Sequence, residues 1–109
     1  MAEVSASAEP PERFGRRISA TEREWQRLLI QALDGWPARH EHTLVDIDLT
    51  IDGQPPASLR ISWYAEPEQV IGGVRLPQIV VHFSFQHAAP ALRARVMKHL
   101  DLHLQRGGG

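Results

Sequence analysis

Two histidines near the C-terminus have a spacing that could hold a metal ion. Residues four apart in a helix project from the same side, so His99 and His103 could reach one ion together. The nearest carboxylate, Asp101, would project from the opposite side of that helix and cannot complete the site. The sequence therefore predicts no metal site and no cofactor, although weak metal binding by the two histidines stays open.

A second polar set comes from three separate β-type segments. Asp48, Arg60 and His82, with Ser62 or Ser84, alternate with apolar residues and would share one face of a sheet. Ser, His and Asp together suggest nucleophilic catalysis, but that chemistry needs an oxyanion hole and exclusion of water, which an open sheet lacks. A solvated face with an ion pair between Asp48 and Arg60 is the simpler interpretation. We therefore predict no catalytic residue, and an enzymatic role ranks third among the functions considered.

Composition excludes several further kinds of site. The 109 residues suffice for one domain, and the absence of cysteine excludes disulfides, thiolate metal centres and cysteine nucleophiles. The net charge of −1 lacks the basic excess of most nucleic-acid-binding domains. Eleven arginines against one lysine, with no asparagine, are typical of a GC-rich bacterial genome. No apolar run resembles a signal peptide or a membrane span, so the expected location is the cytoplasm.

The segments that carry these residues lie between two predicted helices, and both ends of the chain are predicted to be flexible. Residues 1–17 are rich in small, polar and proline residues and are predicted to be a disordered tail, followed by one domain over residues 18–106. A capping box at Ser19 and Glu22 predicts the first helix, which ends at Asp34-Gly35. The second helix is predicted from Ala88 to Gln105, and residues 107–109 form a flexible end.

Three segments between the helices alternate between apolar and polar residues. They are residues 43–52, 58–64 and 78–85, and each places its large apolar side chains on one face. The first two form a hairpin across a loop of about five residues. Gly72-Gly73 permits a reversal before the third, which could begin as early as Val74. Pro77 marks an edge strand or a bulge, because proline cannot donate to a ladder.

The predicted fold is a two-layer α+β domain with the order α-β-β-β-α. A three-stranded antiparallel meander carries both helices on one face, and its other face is polar and open to water. The order resembles that of the double-stranded RNA-binding domain. At residues 87–93, where that family places a lysine cluster, this chain has one cation, Arg93. The sequence therefore assigns the chain to no family.

The open sheet face is the predicted working surface. It favours a small non-catalytic protein that binds another protein or itself, with a free edge at the third strand as a further means of pairing. Its predicted binding residues are Asp48, Arg60, Tyr64, Val80, His82 and Ser84. The alternative is nucleic-acid binding by the basic last helix, although the charge balance disfavours it. The residues for that alternative are Arg93, Arg95, Lys98 and Arg106.

Overall fold

Residues 10–108 of the chain are described by the computed structural model, with side chains for residues 10–104. The elements are β1 (Arg13–Ile18), α1 (Glu22–Ala32), β2 (Ala38–His40), β3 (Leu44–Asp48), β4 (Ser58–Ile71), β5 (Val74–Gln86) and α2 (Pro90–Gly108). Within these residues the fold is α+β, with both helices on one face of an antiparallel sheet, as predicted.

The sheet has five strands in the described part of the chain, where three were predicted. Their order is β1-β5-β4-β3-β2, and every neighbouring pair is antiparallel. The predicted meander is its centre, formed by β3, β4 and β5. β1 and β2 extend the meander at its two edges. Neither has the clean apolar alternation by which the central strands were recognised.

β1 corrects the prediction of a disordered tail over residues 13–17. It pairs with β5 along its whole length, and Phe14 stacks on Phe83 with ring centroids 4.8 Å apart. Arg16 forms an ion pair with Asp101 of α2. The segment is polar by composition, so its order depends on a partner strand that is distant in sequence. Residues 1–9 of the predicted tail lie outside the described residues.

The core lies between the helices and the inner face of the sheet. Ile79, Val81, Phe83 and Phe85 are buried there, as the alternation of the third segment predicted. Trp25 of α1 meets Trp63 of β4 edge to face, with ring centroids 6.1 Å apart. The other large buried side chains are Leu29, Leu33, Val45, Ile47, Leu59, Ile61, Val96, Met97 and Leu100. Burial of these side chains is the main driving force for folding.

α1 begins two residues later than predicted. The capping box is formed by Thr21 and Glu24 rather than by Ser19 and Glu22. The Thr21 hydroxyl accepts from the Glu24 amide at 3.1 Å, and the Glu24 carboxylate accepts from the Thr21 amide at 2.9 Å. Both pairs have the required types and spacing, so the sequence alone did not distinguish them. β1 ends at Ile18, and Ser19 and Ala20 connect it to the helix.

β3 is shorter than the predicted strand over residues 43–52. It ends at Asp48, whose carboxylate accepts from the Thr50 amide at 2.9 Å. Such a local bond competes with the ladder and favours a turn. Ile51, predicted to point inward, is exposed in the loop that leads to β4. The loop therefore spans residues 49–57 and is longer than expected.

β4 and β5 form a hairpin that is longer than predicted. Gly72 and Gly73 connect the strands with φ of 57° and 83°, a conformation that glycine adopts without a steric penalty. β4 continues past Tyr64, the last residue of the predicted segment, through a register shift between Glu66 and Gln69. β5 begins at Val74, the earlier of the two predicted starts. Residues 66–78 form the end of this hairpin beyond the other strands, and we call them the arm.

α2 starts with Pro90 in its first turn and extends to Gly108. The predicted helix ended at Gln105, so the expected flexible end is helical as far as Gly108, and Gly109 lies outside the described residues. Neither helix described in the structure has an apolar stretch long enough to cross a bilayer.

Candidate interaction surface

The side of the sheet turned away from the helices, which we call the outer face, holds most of the predicted site residues. Arg60 lies opposite Ser84 and Tyr64 opposite Val80, all on the outer sides of β4 and β5. His82 lies between these pairs, opposite Ser62. These five predicted residues are therefore neighbours, because two adjacent antiparallel strands in register carry them.

Asp48, the sixth predicted residue, is not the partner of Arg60. It lies opposite Ser58 at the end of β3, and Asp46 occupies the position opposite Arg60. The register differs by two residues from the predicted Asp48–Arg60 pairing. Both registers keep the apolar side chains inward, so the alternation of the strands could not decide between them.

Two forked ion pairs cross the strands of the outer face. Arg60 donates from Nε and Nη2 to the two carboxylate oxygens of Asp46, at 2.7 and 2.9 Å. Arg17 donates in the same way to Glu66, at 2.7 and 3.2 Å. These hydrogen bonds favour the charged carboxylates. The bond from Arg60 lowers the pKa of Asp46, and the bond from Arg17 lowers the pKa of Glu66.

Acid is expected to weaken both pairs. The pKa of each carboxyl is lower in the folded chain than its ordinary value, 3.8 for Asp46 and 4.5 for Glu66. Each pair therefore stabilises the fold fully when the pH is above the ordinary pKa of its carboxyl. That contribution is lost as the pH falls through the lowered pKa. Urea unfolding at a series of pH values should show the free energy of unfolding falling below about pH 4.5.

The double variant Arg17→Gln, Arg60→Gln is the control for this prediction. It removes both guanidinium charges, so its free energy of unfolding should depend less steeply on pH in the acid range. Some dependence should persist, because Thr21 lowers the pKa of Glu24 and Thr50 lowers that of Asp48. Equal slopes for the variant and the parent chain would contradict the assigned role of the two pairs.

An apolar strip runs along the outer face from the sheet to the tip of the arm. Its members are Leu44, Tyr64, Ile71, Val74, Leu76 and Val80. Val74, Leu76 and Val80 share one side of β5 because side chains alternate along a strand. The side chains of Tyr64, Ile71 and Val74 are 52%, 55% and 58% exposed. The polar pair of Glu66 and Gln78 crosses this strip between Val80 and Leu76. Exposed apolar side chains grouped on one face are typical of an interaction site.

His82 lies beside this strip and is exposed. Its ring stacks on Tyr64 with centroids 6.0 Å apart. On the other side it lies over Gly15 of β1, where an added Cβ would come within 3.3 Å of the His82 Nδ1. The absence of a side chain at Gly15 therefore gives the imidazole room to lie along the sheet. Tyr64 and His82 thus form an aromatic pair between the two ion pairs.

The outer face does not form a catalytic arrangement of serine, histidine and aspartate. The hydrogen bonds described there join arginines to carboxylates, and Asp46 is engaged by Arg60. A cleft of 610 Å³ beside β2 and β3 is lined in part by Asp46 and Asp48, and one of 220 Å³ lies between β1 and the helices. His82 lines neither of them. Catalysis through His82 stays an untested prediction.

The four basic residues predicted for nucleic-acid binding are not equally accessible. Arg93 is half-buried, and its guanidinium donates to the carbonyls of Pro10 and Ala88 at 2.9 and 2.6 Å. Arg95 and Lys98 are exposed on α2. The side chain of Arg106 lies outside the described residues. Arg93 thus helps to hold the start of the described chain against α2.

The side chains of His99 and His103 are each hydrogen-bonded to a backbone carbonyl group. His99 Nε2 lies 2.8 Å from the carbonyl oxygen of Ala32 at the end of α1, and His103 Nδ1 lies 3.0 Å from the carbonyl oxygen of His99. A carbonyl only accepts, so both nitrogens donate. The two rings pack against each other at a tilt of 37°, with centroids 4.3 Å apart. The described residues contain no group of three or more potential metal-ligating side chains.

The prediction that the strand at 78–85 has a free edge is wrong. β1 pairs with β5 from Ile79 to Ser84, and the edges of the described sheet are β1 and β2. β1 carries Arg13 and Arg17 on its outer side, and β2 has three residues and follows Pro37. Charged side chains, short strands and proline are features by which natural sheets resist edge-to-edge pairing.

The part of the surface that the sequence did not predict is the arm. Val70, Ile71 and Val74 are exposed at its tip, and none was among the predicted binding residues. A two-residue Gly-Gly turn between two β-branched segments is a strong hairpin signal. That signal could have shown that residues 66–78 extend the face formed by Tyr64 and Val80.

Comparison with known proteins found no family model, no curated protein and no solved structure that matches the chain.

Proposed function

We propose that this protein is a small non-catalytic module that binds a protein partner on the outer face of its sheet. The observation that carries the proposal is the apolar strip, which runs over the sheet and the arm and is covered by neither helix. Burying exposed apolar side chains is favourable at about 25 cal/mol per Å². A partner that covers the strip would therefore gain free energy from every apolar side chain that it removes from water.

The polar residues around the strip support the same function. Protein interfaces commonly have an apolar centre with aromatic residues and a polar rim. Tyr64 and His82 lie at the centre of the sheet portion, and the Arg60–Asp46 and Arg17–Glu66 pairs flank them. The pairs are already formed in the free chain, so a partner need not order these side chains on binding.

Nucleic acid is the less favoured partner of this face. The arginines of both pairs are bonded to carboxylates, whereas a phosphate contact needs an arginine that is not already neutralised. The flat Tyr64–His82 stack could receive a base. The two ion pairs beside it are neutral overall, so they offer no net positive charge to the phosphate groups of a nucleic acid.

The test is capture of partners by the full chain and by two matched variants. Tyr64→Glu places a carboxylate in the strip, and Leu102→Glu makes the same change on α2, where Leu102 is 61% exposed. Proteins from a lysate, the protein's own untagged copy included, are quantified by mass spectrometry. We expect Tyr64→Glu to reduce capture of the specific partners at least about tenfold, as for loss of a central interface residue.

Leu102→Glu should leave that capture unchanged. Circular dichroism confirms that both variants are folded, which is expected because both side chains are exposed. The proposal fails if the parent chain and the two variants recover the same proteins in the same amounts.

A further inference from the structure

We infer that His99 and His103 of α2 form a binding site for a divalent metal ion that prefers imidazole ligands, copper(II) and nickel(II) before zinc(II). Nδ1 of His99 and Nε2 of His103 hold the ion, and water completes its coordination. The pair lies on the helical layer, on the other side of the sheet from the outer face. The inference is therefore independent of the proposed function.

The hydrogen bonds of the two rings leave one nitrogen of each without a proton. In a neutral imidazole one nitrogen donates and the other accepts. His99 donates from Nε2 to the carbonyl of Ala32, and His103 donates from Nδ1 to the carbonyl of His99. Nδ1 of His99 and Nε2 of His103 therefore carry free lone pairs, which a metal ion requires. A histidine that ligates a metal commonly donates its other nitrogen to a backbone carbonyl in this way.

The two free nitrogens are accessible to solvent. Within residues 10–104, the buried side-chain nitrogens and oxygens that lack a hydrogen-bond partner are Nε1 of Trp25 and Nε1 of Trp63. Nδ1 of His99 and Nε2 of His103 form no hydrogen bond in this part of the chain, and they are not among those buried atoms. An ion can therefore reach both nitrogens from water.

The geometry of the ring pair suits a right angle at the ion. The rings are tilted by 37°, so their planes intersect, and an ion bound in the plane of both rings lies on that line. With metal–nitrogen distances of about 2.0–2.1 Å, two imidazoles at a right angle have centroids about 4.5 Å apart, and two in a tetrahedral site about 5.2 Å apart. The observed separation is 4.3 Å. Right-angled sites of nitrogen ligands are typical of copper(II) and nickel(II).

The end of α1 favours positive charge on this pair. Carbonyl groups at the C-terminal end of a helix carry negative partial charge, which stabilises a nearby cation. His99 contacts the carbonyl of Ala32, the last residue of α1. The last turn of α1, which the structure describes in full, contains no basic residue. A metal ion on the His99 ring would therefore supply the positive charge that this helix end lacks.

Calorimetric titration of the full chain with copper(II), nickel(II) and zinc(II) tests the site. We expect micromolar dissociation constants, with copper(II) bound most tightly. His103→Gln should raise the constant for nickel(II) at least about tenfold, because the second ligand no longer binds intramolecularly. Two controls should leave it unchanged: His82→Gln on the outer face, and the double variant His40→Gln, His42→Gln, which removes the other closely spaced pair.

Trp36 reports where the ion binds. Its ring lies 4.7 Å from the ring of His99, and copper(II) quenches the fluorescence of a nearby indole. Copper(II) should therefore lower the fluorescence of the parent chain. Trp36→Phe keeps an aromatic ring against His99 and should lose most of the quenching. His103→Gln should lose it at the same copper(II) concentration, because the ion is no longer held.

Nitrogen NMR of the imidazole rings tests the two ligating atoms. At neutral pH and without metal, Nδ1 of His99 and Nε2 of His103 should be unprotonated. Zinc(II), which is diamagnetic, should shift these two signals and leave Nε2 of His99 and Nδ1 of His103 protonated. The experiment also applies if His103→Gln proves too unstable to study, since it uses the parent chain alone.

Three results would each overturn the inference. One is equal affinity of the parent chain and His103→Gln. Another is saturation only above about 1 mM for all three ions, which corresponds to a free energy of binding of about −4 kcal/mol or weaker. The third is a His99 ring that carries protons on both nitrogens at neutral pH. Micromolar binding that depends on His103, quenches Trp36 and shifts the two named nitrogens supports the site, whatever the outer face binds.

Discussion

Replacing Phe83 with alanine is expected to lower the free energy of unfolding by about 3–5 kcal/mol, the usual cost of removing a buried phenyl ring. Phe83 is 1% exposed and lies in β5 on the side that faces the core. Its ring stacks on Phe14, and the guanidinium of Arg16 lies 5.4 Å from its centroid. The substitution therefore leaves a cavity and also removes the ring against which β1 packs. Urea unfolding followed by circular dichroism measures the change.

The neighbouring residue provides the control for Phe83→Ala. His82 is exposed on the outer face of the same strand, so His82→Ala should change the free energy of unfolding by about 0.5 kcal/mol or less. If Phe83→Ala proves too unstable to fold, Phe83→Leu keeps most of the volume and should cost less. Equal effects at positions 82 and 83 would show that the assigned inner and outer faces of β5 are wrong.

Deleting residues 1–18 is expected to destabilise the fold by at least about 3 kcal/mol, since two partly buried side chains and a ladder of backbone bonds are lost. Phe14 and Ile18 pack against the core, and Arg16 ties β1 to Asp101 of α2. The deletion also leaves one edge of the apolar strand β5 unpaired from Ile79 to Ser84. An unpaired apolar edge promotes aggregation. Urea unfolding and light scattering of the truncated chain measure both effects.

A shorter deletion is the matched control. Removing residues 1–9 keeps β1 and the bond from Arg93 to the Pro10 carbonyl, so this truncation should be much less damaging. Phe14→Ala in the full chain is the milder variant if the long deletion fails to fold. A chain without residues 1–18 that is as stable and as monodisperse as the full chain would restore the interpretation of residues 13–17 as a disordered tail.

The substitution of Phe83 tests a feature that follows from the local sequence pattern, whereas the deletion of residues 1–18 tests one that does not. The inward positions of β5 could be predicted from local alternation, because four large apolar residues at every second position must share one face. The participation of β1 could not be predicted in this way. Its segment has two apolar residues, Phe14 and Ile18, among charged and small ones. Its order depends on contacts with β5 and α2 that are distant in the chain.

The candidate surface could likewise be predicted in part from local alternation and in part not. Alternation predicted that Arg60, Tyr64, Val80, His82 and Ser84 share the outer face, and pairing of β4 with β5 placed them together. Alternation did not give the register of β3. A shift of two residues preserves the apolar face, and the structure pairs Arg60 with Asp46 rather than with Asp48. The identity of an ion pair across strands is therefore a property of the tertiary structure.

By itself, then, the sequence determined the α+β class, the central meander and the inward face of each of its strands, because these follow from local periodicity and turn residues. Only the tertiary structure decided the edges of the sheet, the partner of Arg60 and the continuation of the outer face onto the arm. The physical reason is that polar edge strands and two-residue register shifts leave the local apolar pattern unchanged. Their energies come from contacts between residues far apart in the chain.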